Sequence, residues 1–192
     1  MQKLITYINS LVRFSPESWE TLKPLITRKT FEKGELLLKA GEVCNSLYFI
    51  DQGFVRAFSS DTETNSTLHF DGEFVTSISS FSTGEASAYS IEACEPVTVL
   101  VLDKSGLQQA GSVTDQIAIL GQNCLNYIAS GLEAQADLIN LYTPSERYEY
   151  IARNKPHLLK RVPPHILASY IGMSRERLSH TGRRRMESRY AF

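Results

Sequence analysis

The chain has 192 residues, 42% of them hydrophobic and 21% charged, with a formal net charge of −1. That composition is ordinary for a globular protein, and no apolar run approaches the ~18 residues needed to span a bilayer. The charge is unevenly placed: residues 143–192 hold eleven Lys/Arg against four Asp/Glu, and the remainder nine against seventeen. A basic tail on an acidic body suggests two modules with different partners.

Taken in chain order, Leu4, Ile8, Leu11 and Val12 recur at helical spacing, and helix is expected up to about residue 28. Ser15 is placed as an N-cap, with Pro16 in the first turn of a second short helix. From about Thr30 to Asp103 the texture changes to short apolar runs such as Leu47–Ile50, Phe54–Phe58 and Val97–Leu102. Turn sequences separate them, among them Lys33-Gly34, Asp51-Gln52-Gly53 and Asp71-Gly72. Many short strands between good turns predict a β-sandwich or roll.

From Thr114 to Tyr142 the rhythm is helical again, for about eight turns. Ile117, Leu120, Cys124, Tyr127/Ile128, Gly131, Leu138 and Leu141 form a near-heptad seam. Such a seam either packs on its own chain or is shared with a second copy, and its length favours a homodimer. Gly121 and Gly131 lower helix stability yet permit close approach of a partner helix. Thr143-Pro144 caps and starts a new helix at the point where the charge changes. The expected division is therefore 1–113 for a β-roll sensor, 114–142 for a dimerisation helix and 143–192 for a DNA-binding domain, an α+β fold overall.

Cys44, Cys94 and Cys124 lie far apart without C-x-x-C spacing. This excludes a zinc knuckle or a disulfide framework and fits a reducing cytosol. The first residues do not form a signal peptide, so a cytoplasmic location is expected. A metal enzyme of the small-barrel kind would need clustered histidines, and only His69 lies in the strand region. No nucleophile motif is present, and an enzyme is not expected.

The C-terminal segment from Pro164 to His180 carries the pattern of a helix-turn-helix. Ala168 is small where two helices cross, and Gly172 suits a turn with positive φ. Ser174 can cap the second helix, and Leu178 anchors it. Outward positions are then Arg175, Glu176, Ser179 and His180, with Arg177 on the flank. Arginine can bond guanine bidentately and a carboxylate can accept from cytosine. Arg183, Arg184 and Arg185 suit phosphate contacts. The other reading is an αα-hairpin whose arginines merely face water.

The stretches Phe31–Glu42 and Leu47–Arg56 look like the first half of a cyclic-nucleotide-binding β-roll. Together with the helix-turn-helix, the chain resembles the Crp/Fnr family of catabolite-activator-like regulators from about residue 5 to 187. The resemblance implies a jelly-roll sensor, a long dimer helix and a winged helix-turn-helix. It implies double-stranded DNA as partner, and RNA polymerase as a further one. The chain stops soon after Arg189, so little room is expected for a wing.

By the same resemblance, Gly72-Glu73-Phe74 match the start of a phosphate-binding cassette, with Glu73 toward a ribose hydroxyl. Aligning Ile91 and Ala93 puts Ser87 where the cassette has an arginine and Ala88 at its hydroxyl partner. One charge-assisted contact, normally worth ~1.5–3 kcal/mol, is then missing. Ordinary cAMP is not expected as effector; the cassette serves another small molecule or none, and no cofactor is assigned. Arg175 and Glu176 fall on the family's first two base-reading positions, while His180 stands where arginine is common. The alternative function is a ligand-sensing or protein-interaction module that does not read DNA sequence.

Overall fold

The computed structural model describes residues 1–59 and 65–189, without the side chains of residues 65–66 and 184–189. Helices α1 (Gln2–Leu11) and α2 (Pro16–Leu22) come first. Ser15 caps α2 as its sequence predicts, its hydroxyl accepting the Ser18 N–H at 3.2 Å. Helix does not continue to residue 28: a 3₁₀ turn over Lys23–Leu25 leads into strand β1 (Ile26–Phe31). Pro24 removes a donor just where the chain changes direction.

Among the described residues, eight strands build two four-stranded antiparallel sheets, ordered β1-β8-β3-β6 and β2-β7-β4-β5. The further strands are β2 (Leu36–Leu38), β3 (Ser46–Gln52), β4 (Phe54–Phe58), β5 (Asn65–Phe70), β6 (Phe74–Val75), β7 (Ser90–Ala93) and β8 (Val97–Asp103). Strand alternation divides the first sheet between two cores. Tyr48, Ile50, Val75, Val97, Val99 and Val101 point to the second sheet and fill the roll. Leu47, Phe49, Phe74, Leu100 and Leu102 point the other way, onto α1 and the long helix. Because β8 is covered on both faces, it reads as an unbroken apolar run.

Helix α3 (Ile78–Thr83) lies between β6 and β7, and α4 (Lys104–Val113) follows β8. Helix α5 then runs from Asp115 to Leu141. Its Ile117, Leu120, Cys124 and Ile128 join Leu4 and Ile8 of α1 in the helix-side core. Each such buried aliphatic chain contributes on the order of 1.5–3 kcal/mol. Most of the predicted seam is therefore consumed within the chain, since Leu138 is also buried, against the C-terminal helices. Tyr127 and Leu141 remain exposed, at 51% and 74%.

The C-terminal helices are α6 (Pro144–Asn154), α7 (Pro156–Arg161), α8 (Pro164–Tyr170) and α9 (Arg175–Arg189). Their core of Tyr148, Ile151, Leu158, Leu167 and Leu178 is continuous with Phe54, Leu68 and Cys94 of the roll. Among the described residues no helix is long and apolar enough to cross a membrane.

Candidate nucleic-acid interface and effector pocket

The C-terminal site begins at the junction of α5 and α6. Thr143 and Glu146 form a reciprocal capping box at the start of α6, with Pro144 at the first helical position. Ala168 is 2% exposed and Ile171 fully buried, so the α8–α9 corner closes on an apolar plug. Gly172 adopts φ +63 in the turn, the left-handed region that glycine enters without a Cβ clash. The Ser174 hydroxyl accepts the Arg177 N–H at 3.2 Å, and Leu178 is buried one helical turn later. Ser174, Arg175, Glu176, Arg177, Ser179 and His180 are all exposed. The first turn of α9 thus presents its polar face to solvent.

The local electrostatics suit donor–acceptor recognition. Glu176 is held below the ordinary carboxylate range by its own backbone N–H at the helix start, with the Ser174 hydroxyl assisting. An ionised carboxylate beside Arg175 offers an acceptor and a fork of donors on one face. Arg183 is exposed and donates to the Ser179 hydroxyl at 3.4 Å. The side chains of Arg184 and Arg185 lie outside the described residues. His165 on α8 is pushed down by burial, and the cations of Arg175, Arg56 and Lys33 add to the effect.

The five residues expected to line an effector pocket are not brought together. Gly72 makes the β5–β6 turn, its N–H donating to the Ile50 carbonyl at 2.8 Å. Phe74 packs between Phe49 and Tyr7, with ring centroids 5.1 and 5.3 Å away. The Glu73 carboxylate accepts the Phe70 N–H at 3.0 Å and lines a cavity against α5. Ser87 is buried in a different place, bonded to the Ser77 hydroxyl at 3.0 Å and the Tyr89 carbonyl at 2.7 Å. Ala88 is exposed. The reason is strand parity: Phe74 faces the helix-side core with its register partner Phe49, and only Val75 faces the roll interior.

Sequence reading missed the group around Ser87. Ser80 accepts the Cys44 N–H at 2.8 Å, and Thr76 lies 3.2 Å from the Cys44 thiol. Tyr89 donates to the Thr76 carbonyl at 3.3 Å. Thr76, Ser77, Ser80 and Ser87 are all buried, forming a set of hydroxyls that satisfy one another and the backbone. The unusual run of serines and threonines after Phe74 was the available signal. None of these groups carries the positive charge a cyclic phosphate would need. Among the described residues no group of three or more His, Cys, Asp or Glu could hold a metal ion.

With this geometry established, residues 28–112 match the family model of the cyclic nucleotide-binding domain. A solved transcriptional regulator of the Crp/Fnr family from Eubacterium rectale superposes with a TM-score of 0.69. The chain is Crp/Fnr-like in fold. That regulator shares 14% identity, over 91% of this chain and 85% of its own. FixK2 from Bradyrhizobium japonicum gives a TM-score of 0.68 at 18% identity over 85% of each chain. The catabolite activator protein of Thermus thermophilus gives 0.56 at 20% identity, over 95% of this chain and 87% of that one. No relative is found among curated protein sequences.

Proposed function

We propose that this Crp/Fnr-like chain is a DNA-binding transcription regulator, in which α8 and α9 act as a helix-turn-helix under control of the β-roll. The observation that carries the reading is the α8–α9 corner: the buried Ile171, the positive-φ Gly172 and the Ser174 cap leave Arg175, Glu176, Ser179 and His180 exposed together. The first turn of α9 would enter the major groove, with Arg183 and the cations beyond it on phosphates. The folds of FixK2 and the catabolite activator protein support the same assignment.

A homodimer through 114–142 belongs to this reading, since paired recognition helices read half-sites about one DNA turn apart. The contact surface would be the outer face of α5, where Ile119 and Tyr127 are 47% and 51% exposed. A Cβ added at Gly131 would meet no heavy atom within 4 Å, which leaves room there for a neighbouring helix. RNA polymerase is the partner proposed for the DNA-bound dimer. The uncharged Ser77–Ser87 pair argues for an effector other than ordinary cAMP.

The test is selection of bound fragments from a random DNA library, with sedimentation to establish the dimer. Enrichment of a two-fold-symmetric site, weakening steeply with salt, is the expected result. Failure to enrich any sequence at low salt would favour a ligand-sensing or protein-interaction module instead.

A further inference from the structure

A cavity of about 290 Å³ lies where the roll, α5 and the C-terminal helices meet. It sits at the small end of the range for ligand pockets. Leu68 and Phe74 of the roll and Ile128 of α5 give it apolar walls, while Glu73, Gln135, Lys155 and Tyr170 bring polar groups.

Three of these groups, Glu73, Gln135 and Lys155, keep functional atoms in reserve after the fold is satisfied. Glu73 uses Oε2 for the Phe70 N–H, and its Oε1 makes no hydrogen bond among the described residues. Gln135 spends its Nε2 on the Tyr170 carbonyl at 2.7 Å, which leaves its Oε1 as an acceptor. The Lys155 ammonium has no ion pair among the described residues. His69 stands 3.9 Å from Glu73 through Nδ1, but burial pushes it down to about 4. At neutral pH it is therefore uncharged and cannot serve as the counter-ion. Burial also holds the Glu73 carboxyl above its ordinary range, outweighing the Phe70 N–H and the Lys155 ammonium beyond ion-pair reach, which both lower it.

The lining is thus rich in acceptors and holds a carboxylate with no charged ion-pair partner at neutral pH among the described residues. A cation, Lys155, completes its lining. A carboxylate in such a place asks for an ammonium donor. The lysine disfavours a diamine and favours a ligand whose other end is anionic. We propose that this cavity binds a small zwitterion, an apolar α-amino acid, with its ammonium on Glu73, its carboxylate toward Lys155 and its side chain against Leu68, Phe74 and Ile128.

A ligand there touches the roll, the long helix and the C-terminal helices at once. It would stabilise one relative placement of the three, and so act as the effector of the regulator. That consequence rests on the function proposed above; the binding site does not.

The full chain is titrated with L-leucine, L-isoleucine and L-valine to about 10 mM, following thermal stability and binding heat. At least one is expected to raise Tm, and its N-acetyl and amide derivatives are expected to fail, each lacking one charge. Glu73→Gln should weaken binding at least tenfold and Lys155→Ala by a smaller factor. Should Glu73→Gln fail to fold, Lys155→Ala and the derivatives carry the test. No shift with any of the three, equal binding of an N-acetyl derivative, or preference for putrescine overturns the proposal. A gel shift on the same preparation keeps the two questions apart. Amino-acid binding without DNA binding would retain the site and overturn the regulator.

Discussion

The Arg147 guanidinium donates to the backbone carbonyl of Ile171, 24 residues further along the chain, at 3.0 Å. The same side chain donates to the carbonyls of Ile139 at 2.6 Å and Tyr142 at 2.8 Å. One cation therefore ties the last turn of α5, the α5–α6 junction and the turn before α9. Helix ends leave carbonyls that need such partners. Arg147→Ala should cost about 2–3 kcal/mol in urea unfolding, with Arg147→Lys recovering only part, because an ammonium cannot span three carbonyls in fixed directions. A loss under 0.5 kcal/mol, the range of ordinary surface substitutions, would contradict this role.

Gly172 is coupled to the same guanidinium. An added Cβ would stand 2.7 Å from Arg147 Nη1, at a backbone φ of +63. Gly172→Ala should therefore lose roughly 1–2 kcal/mol from backbone strain alone and more from the displaced arginine. In an Arg147→Ala background the second component disappears. A double-mutant cycle reads the coupling directly, and a zero coupling energy would show that the arginine moves aside freely.

His69 makes stability depend on pH. Burial pushes it down to about 4 from an ordinary 6.5. The unfolded chain then takes up a proton over that window while the folded chain does not. The contribution is full above pH 6.5, drains as pH falls and is gone by about pH 4, with a ceiling of roughly 3 kcal/mol. Glu73, raised by burial, acts in the opposite sense: its contribution is full below its ordinary value and is lost as pH rises through its folded one. Urea midpoints at pH 7 and pH 5 should separate more widely for the wild type than for His69→Gln. Parallel slopes would rule out the histidine.

Arg161 clamps α7 to the roll, donating to Asp71 at 2.7 Å and Glu95 at 2.6 Å, and lies over the rings of Phe54 and Phe70. The hydrogen bond from Arg161 is the main reason Asp71 is held below its ordinary 3.8. The clamp is complete above that value and releases only as pH falls below it. Both partners are about a third exposed, so the effect on global stability is small. Arg161→Ala should instead speed amide exchange across α7 while leaving β8 unchanged.

On the proposed reading, Arg175→Ala should weaken specific DNA binding by about 1–3 kcal/mol and relax the preference at one base pair. Arg183→Ala should weaken all sequences alike and flatten the salt dependence. Unchanged operator affinity in the Arg175 variant would remove it from the groove.

Local signals were legible in the sequence, because they act over a few residues. Ser15, Thr143 and Gly172 all do what their positions predicted, while the Glu146 half of the capping box was not read. The apolar runs became strands for the same reason. Partnership was not legible. The period of Ile117, Leu120, Cys124 and Ile128 reveals a buried stripe but not what covers it, and the cover is α1 of the same chain. Glu73 illustrates a finer limit: whether it faces the roll or α5 depends on the register of Phe74 with Phe49, and register is a property of two strands, not one.

Helix α5, 27 residues long, spans ~40 Å, and Arg147 fixes its far end to the turn before α9. On the proposed reading it would act as an arm with its pivot on the roll. A tilt of about 5° at the pivot carries the far end about 3.5 Å, close to the ~3.4 Å rise of one base pair. In the proposed dimer, such a tilt of one arm would shift its recognition helix by about one base pair relative to the other.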